Sequence, residues 1–279
     1  MRLDDDGDRS NVEDQRGSGS GTRMKLGLGG TVVLVVLSVA FNQDFFALLG
    51  TSPAGPGAST TGAQAPQRAA AEKGLERTAV ASFNDAQRSW AASIRDYRPA
   101  KLVLFWDEVA SGCGEAAAAM GPFYCPADEK VYIDLGFYRE LAARFGAPGE
   151  FAQAYVIAHE VGHHLQHLLG TERKVRAAQE RHPGTKNALS VRMELQADCF
   201  AGVWGRTTQD RRLLDPGEVE QGLAAAAAVG DDRIQKAATG SVNPERFTHG
   251  SAEQRMRWFR RGFDSGDAQR CDTFSAGGP

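Results

Sequence analysis

Basic clusters are missing from this 279-residue chain: 32 Lys and Arg stand against 35 Asp and Glu, and no stretch gathers the positive charges. Without a positive stripe there is no electrostatic footprint for phosphates, so nucleic-acid binding finds no support. Cysteine is scarce as well, with four in the chain and no Cys-x-x-Cys spacing among them. That pattern speaks against a structural zinc site built from thiolates. Lys and Arg are absent altogether between Lys25 and Arg68.

The apolar run of the chain lies in that gap. Residues 1–25 are polar and Gly/Ser-rich, with Asp4, Asp5, Asp6 and Asp8 close together, and read as a disordered tail. From Leu26 to Phe41 no charge occurs, and Phe45 to Leu49 continue the apolar character past Asp44. Residues 26–49 are therefore expected to reach the roughly 20 residues of a transmembrane helix. Arg16, Arg23 and Lys25 precede the segment, so the positive-inside rule puts the N-terminus in the cytoplasm and the remainder outside. A cleaved signal peptide ending near Ser38-Val39-Ala40 is the competing reading, disfavoured by the long acidic tail in front of it. Residues 50–70, built largely from Gly, Pro, Ala, Ser and Thr, read as a flexible spacer, and residues 71–279 as the globular domain. In an exported domain Cys113, Cys125, Cys199 and Cys271 are disulfide candidates. Cys113 and Cys125 bracket a short Gly/Pro-containing loop and suggest a local clip, which would leave Cys199 for Cys271, although spacing alone does not settle connectivity.

Within the domain, residues 71–96 carry apolar side chains at helical spacing, and Lys101 to Trp106 reads as a buried strand. Lys130 to Asp134 alternates polar and apolar residues as a half-exposed strand does, and its free edge would suit pairing with an extended peptide. Phe137–Phe145 and Leu213–Val229 are further expected helices.

The chemistry concentrates in His159-Glu160-Val161-Gly162-His163, inside a helical run from Phe151 to Gly170. Histidines four apart project from one helix face and can grip a single metal ion, with Glu160 beside them. The bland alternative is a His-rich surface helix, since His164 and His167 follow. A second helix, Ser190 to Trp204, presents Glu194 and Asp198 four apart. Two carboxylates on an apolar helix face are costly to bury unless a positive charge meets them. Glu194 is accordingly the expected third ligand, and Asp198 the acceptor for a ring N–H of a ligand histidine, His159 in the first place. The competing reading is a salt bridge with Arg192 or another Arg. Two His and one Glu leave a tetrahedral position open, the arrangement of a hydrolytic zinc centre in which Glu160 serves as general base. His249, just ahead of an expected helix containing Arg255 and Phe259, is a candidate donor to an oxyanion, with Arg255 a weaker one and a structural role the alternative. Asp231 and Asp232 are left unassigned.

With these residues goes a resemblance. Asn11-Val12-Glu13-Asp14, Gly121-Pro122-Phe123-Tyr124-Cys125-Pro126, Ala154 to Gly170, Glu194-Leu195-Gln196-Ala197-Asp198-Cys199 and Phe247-Thr248-His249-Gly250 together are similar to the bacterial putative neutral zinc metallopeptidase family. The resemblance implies Zn2+ at His159, His163 and Glu194, catalysis by Glu160, and a membrane-anchored or exported location. More distantly, the Glu-x-x-x-Asp helix and late Thr-His resemble gluzincin minimal peptidases. The expected fold is then α+β: a mostly helical domain with a small antiparallel sheet over the His-Glu helix, preceded by one transmembrane helix. The expected function is hydrolysis of peptide or protein substrates, with a non-catalytic zinc-containing envelope protein, or an amidase acting on cell-wall peptides, as alternatives.

Overall fold

A strand whose residues are apolar without alternation must be covered on both faces, and Leu102, Val103 and Leu104 are each fully buried. The computed structural model describes residues 1–3, 7–16 and 61–275, with the side chains of 61–67 and 119 excepted. In chain order its elements are β1 (Val12–Asp14), α1 (Thr61–Ala91), β2 (Lys101–Leu104), β3 (Glu108–Ser111), β4 (Gly114–Ala117), β5 (Phe123–Cys125), β6 (Lys130–Ile133), α2 (Gly136–Ala143), α3 (Glu150–Leu168), α4 (Thr171–Arg181), α5 (Lys186–Asp210), α6 (Glu218–Ala228), α7 (Asp231–Thr239) and α8 (Ala252–Ser265). The fold is α+β and mostly helical, with a four-stranded sheet ordered β1-β2-β6-β5 and a β3-β4 hairpin.

The sheet is mixed rather than antiparallel: β1, β2 and β6 run parallel and only β5 is antiparallel to its neighbour. One face, through Leu102, Leu104, Val131 and Ile133, joins the main core with α1, α3 and α5. The other, through Val103, Phe105 and Tyr132, packs with Val109 and Ala116 of the hairpin. β6 is thus an interior strand with no free edge to offer a peptide. Its apparent alternation arises because Tyr132 turns its hydroxyl to Asp128, at 2.6 Å, while its ring stacks on Phe123.

The N-terminal residues correct the expected topology. Residues 26–49, expected to span a membrane, lie outside the described residues, and among the described residues no helix is long and apolar enough to cross one. Val12–Asp14 pairs with Leu102–Leu104, and Glu13 accepts from Lys101 and Lys130 at 2.8 and 2.7 Å. The Met1 amino group meets Glu218, Glu150 and Asp215, at and near the starts of α6 and α3. Two strands of one sheet lie on one side of any membrane. A single-pass arrangement, with the N-terminus in the cytoplasm and the domain outside, is therefore incorrect, and the described part of residues 1–25 is ordered in the fold rather than a tail. Residues 61–70, expected within the spacer, belong to α1, which begins at Thr61; the rest of the expected spacer lies outside the described residues.

Thr171–Arg181, charged and with Val175 as its one buried residue, forms α4, supported by the Glu172–Arg176 pair one turn apart. Two disulfides, Cys113–Cys125 and Cys199–Cys271, tie the hairpin to β5 and the C-terminal segment to α5. The tightest helix contact is α5 on α8. A Cβ at Gly262 would lie 1.9 Å from the Cys199 carbonyl oxygen, and one at Gly202 would lie 2.0 Å from that of Phe259. Gly262→Ala is expected to force these backbones apart and to cost about 1–3 kcal/mol, as overpacking does; urea unfolding with the disulfides intact measures it, and an unchanged midpoint would contradict the contact.

Candidate metal centre

Helix α3 forms because Phe151, Ala154, Tyr155, Ala158, Val161 and Leu165 recur at helical spacing and are all buried. It ends as Gly170 takes a left-handed conformation, φ 73°. Between its two histidines, Gly162 runs against α5: a Cβ there would meet Ala197 backbone atoms at 3.0 and 3.1 Å. That approach brings Glu194, one turn earlier on α5, to the histidines.

The structure gathers three of the expected residues into one group. Donor atoms of His159, His163 and Glu194 all lie within 4.8 Å of one another. Glu194 Oε2 is 3.1 Å from His159 Nε2, and Oε1 is 3.5 Å from His163 Nε2. Asp198, fully buried, accepts from His159 Nδ1 at 2.9 Å, which fixes the tautomer and turns Nε2 toward Glu194. It also accepts from Tyr155 Oη at 2.5 Å and from Arg255 Nε and Nη2 at 2.8 and 2.9 Å. Arg255 is thus the cation opposite Asp198 and lies buried beneath the group rather than at its rim, where an oxyanion donor would have to be; Arg192 instead donates to the Thr273 carbonyl.

Charge tests whether a divalent ion fits. Glu160 and Asp198 are buried and Glu194 nearly so, against the single guanidinium of Arg255. Three carboxylates and one guanidinium leave two negative charges, which a divalent cation neutralises. The same charge acts on His159: burial alone would lower its pKa, but Asp198 and Glu194 outweigh it and push it up to about 10. Burial likewise pushes Glu194 up, yet His163 and His159 hold it well below the carboxylate range, and Arg255 with His159 does the same for Asp198. Two imidazoles and one carboxylate are a donor set suited to zinc.

The remaining histidines separate cleanly. His164, fully buried, is bonded to Tyr124 Oη and to the Arg98 carbonyl at 3.0 and 2.6 Å, and His167 lies between Glu129 and Glu172 at 3.3 and 3.6 Å. Neither joins the metal group. His249, with a half-exposed side chain, sits in the loop before α8. Its Nδ1 is 3.2 Å from Asp231 Oδ1, and Asp231 Oδ2 accepts from the backbone N–H groups of Thr248, His249 and Gly250 at 2.6, 2.6 and 3.1 Å. Burial lowers the His249 pKa, but Asp231 and the charge of Glu194 raise it overall. Asp231, left unassigned by sequence, is therefore the anchor of this loop. Gln166, not singled out in the sequence, has its Oε1 2.8 Å from His163 Nδ1; its signal was a glutamine three positions, about one turn, after His163 on the same helix.

The protein-family comparison matches residues 1–274 to the family described as "Putative neutral zinc metallopeptidase". The chain belongs to this family. Its relatives include the Uncharacterized protein YpfJ of Escherichia coli K12, 44% identical over 288 residues that cover 98% of this chain and 99% of the relative. Another is the Uncharacterized protein Rv2575 of Mycobacterium tuberculosis H37Rv, 44% identical over 208 residues, 71% of this chain and 70% of the relative. No solved structure matches. The family match starts at residue 1 and so includes β1. Zinc is the metal the family implies, and the His-His-Glu group has the donors to hold it.

Asp231 yields a pH prediction. Burial raises its pKa, but its bonds to His249 and Thr248 lower it overall. A depressed folded-state pKa means its stabilisation is present above the unfolded value of about 3.9 and is lost as pH falls through the lower folded value. Asp231→Asn is expected to lower the thermal midpoint at pH 7, with the gap to the parent closing below that window. Scanning calorimetry over pH 2 to 8 checks it; a gap independent of pH would remove the ionised Asp231 from the account.

Proposed function

We propose that the protein is a zinc-dependent peptidase that hydrolyses peptide bonds of peptide or protein substrates. The observation that carries this reading is Glu160: only 7% exposed, beside the His-His-Glu group, and without an ion-pair or hydrogen-bond partner among the described residues. A carboxylate in that position is free to take a proton, and a purely structural metal site has no use for one.

His159, His163 and Glu194 hold the ion, with Asp198 orienting His159. When bound, zinc supplies Lewis acidity, polarising a carbonyl and lowering the pKa of water towards about 7. Glu160 takes the proton of the attacking water on a carboxylate oxygen and later delivers it to the leaving amine. His249, whose Nδ1 donates to Asp231, donates from Nε2 to the oxyanion of the substrate carbonyl as the imidazolium that Asp231 and Glu194 favour. The Glu194-x-x-x-Asp198 spacing and the late Thr248-His249 pair support a gluzincin-like arrangement. The catalytic unit in this reading is residues 71–279 completed by strand β1.

The test compares the full-length protein with Glu160→Gln on a mixed peptide library, both loaded with zinc. Glu160→Gln is expected to keep its zinc and to lose about 10²–10⁴-fold in kcat/KM, whereas equal cleavage by both, or none by the zinc-loaded parent, would sink the peptidase reading. His249→Ala is expected to lower kcat by about 10²–10³-fold with KM little changed, the pattern of a donor used in the transition state. Steady-state kinetics on one cleaved peptide would reveal it, and a rise in KM alone would assign His249 to binding.

A further inference from the structure

The second histidine of the group is held by a chain of amides that ends at the C-terminal segment. His163 Nδ1 faces Gln166 Oε1 at 2.8 Å. Gln166 Nε2 donates to the Met193 carbonyl at 2.7 Å and to Gln196 Oε1 at 3.1 Å. Gln196 Nε2 donates in turn to the Cys271 carbonyl at 2.9 Å. Gln166 is fully buried and Gln196 nearly so, with no room for either amide to trade partners with bulk water.

The direction of this chain is set at its far end. Backbone carbonyls only accept. Cys271 therefore demands the NH₂ of Gln196, which turns the Gln196 oxygen toward Gln166. Met193 and Gln196 Oε1 together demand the NH₂ of Gln166, which turns its oxygen toward His163. An oxygen facing a ring nitrogen requires that nitrogen to carry the proton. His163 is thereby fixed as the Nδ1–H tautomer, and its Nε2 lone pair is left for a metal on the Glu194 side, where Nε2 is 3.5 Å from Oε1.

The far end is itself fastened. Cys271 and Cys199 are joined by a disulfide, and both are fully buried. Thr273 Oγ1 donates to the Arg192 carbonyl at 2.7 Å, while Arg192 Nη1 donates to the Thr273 carbonyl at 2.8 Å. The segment Ala268–Thr273 is thus strapped to the same helix, α5, that carries Glu194.

We propose that Gln166 and Gln196 are positioning residues for zinc. They relay the carbonyl of the strapped C-terminal segment to His163, so that the segment sets the tautomer of one ligand as α5 sets the place of another. The proposal rests on the reading of His163 as a metal ligand. Outer partners of ligand histidines raise ligand basicity and fix ring orientation, and their loss typically weakens metal binding about 10–100-fold.

The test measures zinc affinity of the full-length, disulfide-intact protein by competition with a chromogenic chelator, separately from any cleavage assay. Gln166→Leu is expected to weaken zinc binding by about 10–100-fold. Gln166→Glu, which keeps an acceptor oxygen at His163 Nδ1 while disrupting the contacts to Met193 and Gln196, is expected to bind within about threefold of the parent despite a lower thermal midpoint. Gln196→Leu, which leaves the His163 contact but frees the Gln166 amide to turn, is expected to weaken binding by a smaller factor, and it decides the matter should Gln166→Leu fail to fold. Parent-like zinc affinity in both leucine variants, or equal weakening by Leu and Glu at position 166, would overturn the relay. A parent that binds zinc but cleaves nothing would sink the peptidase reading alone. A parent that binds no zinc would overturn both.

Discussion

Everything at the metal group depends on how closely α3 and α5 approach one another. Two of the donor side chains come from one helix and the third from the other, so the donor separation is set by the distance between the helix backbones. Gly162 makes that distance short: it has no Cβ to strike Ala197, whose backbone passes at contact distance. A second close crossing, at Gly202 and Gly262, brings α8 onto α5 as well and delivers Arg255 to Asp198. Small residues thus act here as spacers of fixed size, and the rigidity of the site follows from backbone contacts that leave no slack to redistribute.

Close packing alone would be ruinous with these side chains, because it buries carboxylates. Their cost is met in two layers. Arg255 answers Asp198 with two parallel hydrogen bonds, and Tyr155 adds a third donor. Glu194 has only a longer contact to the same guanidinium, at 3.9 Å, and Glu160 meets no cation among the described residues, so the group keeps a negative charge that suits a divalent ion better than an apolar filling. The raised pKa of His159 reflects the same charge. Site and core are therefore one electrostatic problem, which is why polar residues such as Gln166, Gln196 and Asp198 sit fully or nearly buried in an otherwise apolar interior.

Much of this arrangement was legible in the chain itself. The spacing of His159 and His163, and of Glu194 and Asp198, places each pair on one helix face, and the structure brings those faces together. The helices α3 and α5 were legible because apolar periodicity survives where one face is buried. What escaped were features held by few residues or by distant ones. β1 is three residues long and mostly polar, and it joins the sheet by pairing with the distant β2 and by the Glu13 bridges to Lys101 and Lys130, contacts no local pattern encodes. β6 alternates like a surface strand yet lies inside, since the order of strands depends on the whole topology. Asp231 and Gln166 act through backbone amides and a ring nitrogen, partners that are chosen by loop geometry and helix facing rather than by composition. The short loop between Cys113 and Cys125 suggested the pairing that the structure shows, but spacing alone left the connectivity open.

The place of β1 also imposes an order of assembly. Val12 is synthesised long before Leu102, the residue it pairs with, and Met1 waits longer still for Glu218, 217 residues away. The loop-closure entropy of such pairings is repaid only once their partners have already folded. The earliest residues of this chain are therefore expected to be among the last to find their places, after the helices that carry His159, His163 and Glu194 have packed.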